Sequence, residues 1–82
     1  MDADKTVRNA FLDTVANQIE TGDPPEAKAT YERLIAGGQT RSQALLNISA
    51  ALREEMNRML TDSTPFDPRR YAALLQKIPV EG

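Results

Sequence analysis

The chain has 82 residues, of which 40% are hydrophobic and 27% charged, and its net charge is −2 at pH 7. A chain of this length forms at most one domain, and its composition is that of a globular protein rather than a disordered one. The sequence contains no cysteine and no histidine. Disulfides, the usual zinc and copper sites and histidine-activated nucleophiles are therefore excluded. We predict a single domain over residues 1–82 that is not an enzyme and carries no cofactor.

No apolar stretch approaches the roughly 20 residues that a membrane-spanning helix requires. The acidic N-terminus lacks the apolar segment of a secretory signal. We therefore expect a cytoplasmic protein that does not associate with membranes. The negative net charge also argues against a dedicated nucleic-acid binder, because neutralisation of phosphates supplies most of the affinity of such proteins.

Apolar residues recur at helical spacing in four segments, and no segment alternates as a β-strand does. We predict an all-α fold, a compact bundle of four helices joined by short loops, over residues 4–21, 24–36, 41–60 and 68–78. The stripe of the first helix consists of Val7, Phe11, Val15 and Ile19. We expect Gly22 to end this helix in a left-handed conformation.

Turn residues define the start of the second helix, where Asp23 is the predicted N-cap, with Pro24 at the first helical position and Glu26 at N3. Tyr31, Leu34 and Ile35 are expected to form its buried face. Gly37 and Gly38 end it.

The third helix is predicted to be long and central, with Thr40 as its N-cap and Gln43 completing a capping box. Its apolar stripe is wide enough that three short neighbours would leave part of it uncovered. The predicted stripe consists of Leu45, Ile48, Leu52, Met56 and Met59, widened by Leu46, Ala50 and Ala51. The last helix is predicted to have Asp67 as its N-cap, followed by Pro68, with Phe66 packing on Tyr71 as a hydrophobic staple.

Three groups of residues in the sequence bear on possible chemistry. The turn Gly37–Thr40 between two helices has the outline of a helix-turn-helix motif, but a plain αα-hairpin is the favoured interpretation. Glu54 and Glu55 point about 100° apart on a helix, so they cannot converge on one atom, and we expect a solvated face. Nucleic-acid binding would require the arginines to gather on one face, namely Arg41, Arg53, Arg58, Arg69 and Arg70.

The order of these helices resembles a family of small all-helical bacterial domains of unknown function. The segment Asn9–Asp13 looks like the family's Asn-Pro-Phe-Leu-His opening, Tyr31–Leu34 matches its Tyr-x-Arg-Leu helix, and Asp67–Leu75 is similar to its last helix. The family's histidines are replaced here by Asp13, Asn17 and Leu46. The glutamate on the family's third helix is retained, as Glu54. The resemblance implies the fold and leaves the function open.

We interpret the chain as a non-catalytic domain that binds a protein partner or itself through an apolar helix face. The candidate partner-binding residues are Leu46, Met56, Met59, Arg69 and Arg70. The alternative hypothesis is a small-ligand or carboxylate metal site built from Asp13, Asn17, Glu20 and Glu54, with nucleic-acid binding third.

Overall fold

The computed structural model describes residues 3–79, with side chains from residue 9 onward. This part of the chain forms four α-helices and no strand, which confirms the predicted all-α class. The helices are α1 (Ala3–Thr21), α2 (Pro25–Ala36), α3 (Arg41–Asp62) and α4 (Pro68–Gln76). The prediction that Val7 belongs to the apolar stripe of α1 concerns a side chain outside the described ones. Within the described range, no helix has the length and apolar character needed to cross a bilayer.

Glycine ends α1 and α2, as predicted. Gly22 has a φ of +72° and donates its N–H to the Gln18 carbonyl at 2.8 Å. After α2, Gly38 has a φ of +103° and donates to the carbonyl of Ile35, while Gln39 donates to that of Leu34. These two bonds form a Schellman motif, which satisfies the last carbonyls of the helix and turns the chain towards α3.

The predicted start of α2 is wrong by one residue. The N-cap is Pro24 rather than Asp23, and no side chain caps this end. Pro24 precedes a second proline, and the ring of Pro25 disfavours helical geometry at the residue before it. Pro24 is accordingly extended, with φ −76° and ψ 150°, and Pro25 takes the first helical position.

The predicted starts of α3 and α4 are confirmed. Thr40 Oγ1 accepts the N–H of Gln43 at 3.1 Å, and the Gln43 side chain accepts the N–H of Thr40 at 2.9 Å, a complete capping box. At α4, Asp67 Oδ1 accepts the N–H of Arg69 at 3.0 Å. The rings of Phe66 and Tyr71 meet edge to face, with centroids 5.6 Å apart, which forms the predicted staple.

The ends of α3 and α4 differ from the prediction by two residues each. Helix α3 continues to Asp62, and Ser63 closes it in a left-handed conformation with φ 54°. Helix α4 stops at Gln76 instead of residue 78. Ile78 precedes Pro79, and helical geometry is disfavoured at a residue before proline. Lys77 and Ile78, the last two residues of the predicted helix, therefore form a turn instead.

The core lies where α2 and α3, each packed on all three other helices, are flanked by α1 and α4. On α3 the buried stripe runs through Ala44, Ile48, Ala51, Leu52 and Glu55, about 40–60° round the helix from the predicted stripe. Leu45 is accordingly half-buried, and Ile35 on α2 is exposed rather than buried. The buried hydrophobic residues are Val15, Ala27, Leu34, Ala44, Ile48, Ala51, Leu52, Tyr71 and Leu75.

Candidate functional site

Helix α3 exposes large apolar side chains on the side away from the core. Leu46 is 46% exposed, Met56 42% and Leu60 82%. Leu46 and Leu60 lie in one line along the helix with Arg53 halfway between them, since seven residues bring a helix back to nearly the same direction. The wide apolar stripe predicted for this helix therefore remains partly uncovered in the bundle.

Two hollows open between α1 and α3, and we call them together the α1–α3 groove. The smaller, of about 120 Å³, is lined by Phe11, Leu46, Ser49, Ala50 and Arg53. The larger, of about 330 Å³, is lined by Ala10, Phe11, Thr14, Leu52 and Met56. Phe11 lines both hollows while also packing against the core, so its ring connects them.

The hydroxyl groups in this groove are satisfied within their own helices. Thr14 Oγ1 donates to the Ala10 carbonyl at 2.9 Å, and Ser49 Oγ donates to the Leu46 carbonyl at 2.9 Å. The larger hollow is accordingly lined mainly by apolar surface, whereas the smaller hollow has a mixed lining. Arg53 supplies a full positive charge at the edge of the smaller hollow.

Glu55 does not lie on a solvated face, which corrects the prediction for the Glu54–Glu55 pair. Its side chain is fully buried, accepts hydrogen bonds from both Nε and Nη2 of Arg70, and accepts the N–H of Asp67 at 2.9 Å. The hydrogen bond from Arg70 holds the pKa of the Glu55 carboxyl below its ordinary value, against the desolvation that raises it. Glu54, one residue earlier, is exposed as expected.

The carboxylates of the alternative hypothesis do not converge. Asp13, Asn17, Glu20 and Glu54 are all exposed. No group of three acidic side chains close enough to hold a metal ion exists among the described residues. Glu54 instead lines a separate hollow of about 310 Å³ between α3 and α4, together with Lys77. Glu54 lies about 160° round α3 from Met56, although Ala50 lines both this hollow and the smaller hollow of the groove.

The remaining candidates are dispersed. Met59 is half-buried and Arg69 is exposed on α4. Arg70 is engaged with Glu55, and Arg41 lies over the ring of Tyr31 at 5.9 Å. Arg53 and Arg58 point about 140° apart on α3, so the arginines do not gather on one face.

Sequence reasoning missed Phe11 and Arg53 as parts of the exposed surface. Phe11 was assigned to the core stripe of α1, and it does pack there, but one side of its ring faces the groove. The available signal for Arg53 was its position seven residues from both Leu46 and Leu60. That spacing places one charge within an exposed apolar line.

The fold and this surface define the class of protein: an all-α domain of four helices with an uncovered apolar groove between two of them. No family model matches the chain, and no curated protein or solved structure matches it either. The resemblance to small bacterial helical domains therefore stays a prediction.

Proposed function

We propose that this chain is a non-catalytic protein-interaction domain that binds its partner in the α1–α3 groove. The observation that carries the proposal is the exposure of Leu46 and Met56 beside hollows whose hydroxyl groups are already satisfied. The larger hollow offers mainly apolar contact, which suits a protein surface better than a polar metabolite.

The energetic argument concerns what the exposed side chains would gain on binding. Complete burial of a side chain such as leucine or methionine contributes roughly 1.5–3 kcal/mol. Leu46 and Met56 retain close to half of their exposure in the isolated fold. A partner that covers both, and fills the hollow beside Phe11, would form a central apolar anchor of the kind that dominates binding energies.

The experiment is affinity capture of the tagged chain from the cells that express it, with and without nuclease, using three forms of the bait. Wild type is compared with Met56→Glu and with Ile35→Glu. Ile35 on α2 is a matched control because it is 38% exposed, close to the 42% of Met56, and lies outside the groove. Both variants are first shown by circular dichroism to melt within a few degrees of wild type.

The proposal predicts a nuclease-resistant protein partner that wild type and Ile35→Glu retain and Met56→Glu loses by at least about tenfold. A charge placed in an apolar anchor costs well over the 1.4 kcal/mol that corresponds to tenfold. Equal recovery by all three forms would place the interaction elsewhere and contradict the proposal. So would a partner that disappears on nuclease treatment.

A further inference from the structure

The α1–α3 groove carries a single charged side chain among the residues that line its two hollows, that of Arg53. Arg53 is exposed, and it forms no hydrogen bond or ion pair with any side chain in the described range. Its neighbours one helical turn away are Ser49, Ala50, Met56 and Asn57, none of which is acidic. The positive charge is therefore not neutralised along its own helix.

Among the side chains described on α1, which begin at residue 9, none that lines the groove is acidic. Asp13 follows Phe11 by two residues and so points about 160° away from it on α1. Glu54 is adjacent to Arg53 but lines the α3–α4 hollow instead. Within the described residues, the groove thus combines a mainly apolar larger hollow with one uncompensated cation.

The dimensions of the groove suit a helix. Leu46 and Met56 mark its two ends on α3 and are ten residues apart, which corresponds to about 15 Å along the helix axis. Three turns of a partner helix cover this distance, and side chains one or two turns apart could enter the two hollows on either side of Phe11. An extended peptide would find no sheet edge to pair with, because the described part of the chain has no strand.

We infer that the partner in this groove is an amphipathic α-helix of another protein that places an aspartate or glutamate against Arg53. This inference rests on the proposed function and adds the chemistry of the partner to it. Apolar side chains of the partner helix fill the hollows, and the carboxylate pairs with the guanidinium at the edge. The charge pair selects the register and orientation of the helix more than it adds to affinity.

The test is a display library of helical peptides of about 15 residues, a length that spans the groove with a turn to spare. The library is selected against the complete chain as wild type, as Arg53→Glu and as Met56→Glu. We expect wild type to enrich apolar residues at spacings of three and four, together with an acid at one constant position. Arg53→Glu should enrich lysine or arginine at that same position.

Charge reversal then isolates the pair. A synthetic peptide from the wild-type selection should bind Arg53→Glu roughly fivefold more weakly, and its acid-to-lysine version should show the opposite preference. The difference should shrink as salt is raised, because the pair lies at an exposed edge. Arg53→Gln gives an intermediate affinity for both peptides and controls for loss of the aliphatic stem.

The outcomes separate the two claims. Peptides that need Met56 but show no preference for an acid overturn the acidic-helix inference and leave the proposed function standing. Failure to enrich any peptide that Met56→Glu rejects contradicts the proposed function itself. Concentration-dependent dimerisation of the wild type, abolished by Met56→Glu in sedimentation experiments, would show that a second copy occupies the groove and overturns the inference.

Discussion

Glu55 on α3 and Arg70 on α4 form a bidentate ion pair in which the carboxylate is fully buried and the arginine side chain is 25% exposed. The same carboxylate accepts the N–H of Asp67, and Arg70 Nη2 donates to Thr64 Oγ1 at 3.4 Å. One buried acid thus connects α3, the loop that follows it and the start of α4. It also explains a cation in the first turn of α4, where the helix dipole alone disfavours positive charge.

The two partners of this pair should differ in how much stability their removal costs. In Arg70→Leu the Glu55 carboxylate stays buried without its cation, a situation that costs roughly 3 kcal/mol. In Glu55→Leu the remaining arginine can turn to solvent, so we expect a smaller loss. The double variant should be more stable than Arg70→Leu alone. Urea unfolding of all four forms measures the coupling, with the exposed Arg69→Leu as control.

Acid should destabilise the fold through the same carboxylate. The pKa of Glu55 in the folded chain lies below its ordinary value of 4.5, since Arg70 stabilises the charged form. Its contribution is fully present above about pH 4.5 and is lost as the pH falls towards the lowered pKa. Unfolding free energies measured from pH 7 to pH 3 should therefore decline more steeply for wild type than for Glu55→Gln. Parallel curves would refute this assignment.

Alkali should act through Tyr71. Burial raises the pKa of its hydroxyl to about 12 from 10.0, and the hydroxyl donates a hydrogen bond to Gln18 Oε1 at 2.9 Å. The unfolded chain releases this proton more readily, so the stabilisation is complete below pH 10 and is lost as the pH rises towards 12. Tyr71→Phe, which removes the ionisable group, should flatten the decline in stability over this range. Tyrosinate absorbance during the titration reports the ionisation directly.

Gly37 and Gly38 form a matched pair for testing the α2–α3 turn. Gly38 has a φ of +103°, whereas Gly37 has a φ of −81°, which any residue adopts. A Cβ on Gly38 would meet no atom within 4 Å, so the cost of Gly38→Ala is purely that of the backbone. We expect a loss of roughly 1–2 kcal/mol for Gly38→Ala and little change or a slight gain for Gly37→Ala. Thermal unfolding distinguishes the two.

Local signals predicted the caps of α3 and α4 correctly because each depends on atoms within one helical turn. The box of Thr40 and Gln43 and the capping by Asp67 are examples. The start of α2 is also set locally, because the ring of Pro25 keeps the residue before it extended and makes Pro24 rather than Asp23 the N-cap. This end of α2 therefore depends, like the caps, only on neighbours in sequence.

The fate of the charged residues could not be predicted in the same way. Glu54 and Glu55 are adjacent and chemically identical, yet one is exposed and the other is fully buried. Burial of a glutamate is costly unless its charge is paired. For Glu55 the paired cation is Arg70, which is 15 residues away in sequence and is brought near only by the packing of α4 on α3. Similarly, the sequence does not distinguish Arg53 from the other arginines. The packing of α1 against α3 places it at the edge of an apolar groove.

The amino-acid sequence by itself determined the helical class, the number of helices and four of their eight ends, because apolar periodicity and capping act over a few residues. Tertiary structure alone decided which side of α3 faces the core. The choice depends on how the volumes and angles of three other helices fit against it. That choice buried Glu55 with Arg70 and left Leu46 and Met56 beside Phe11 in an uncovered groove.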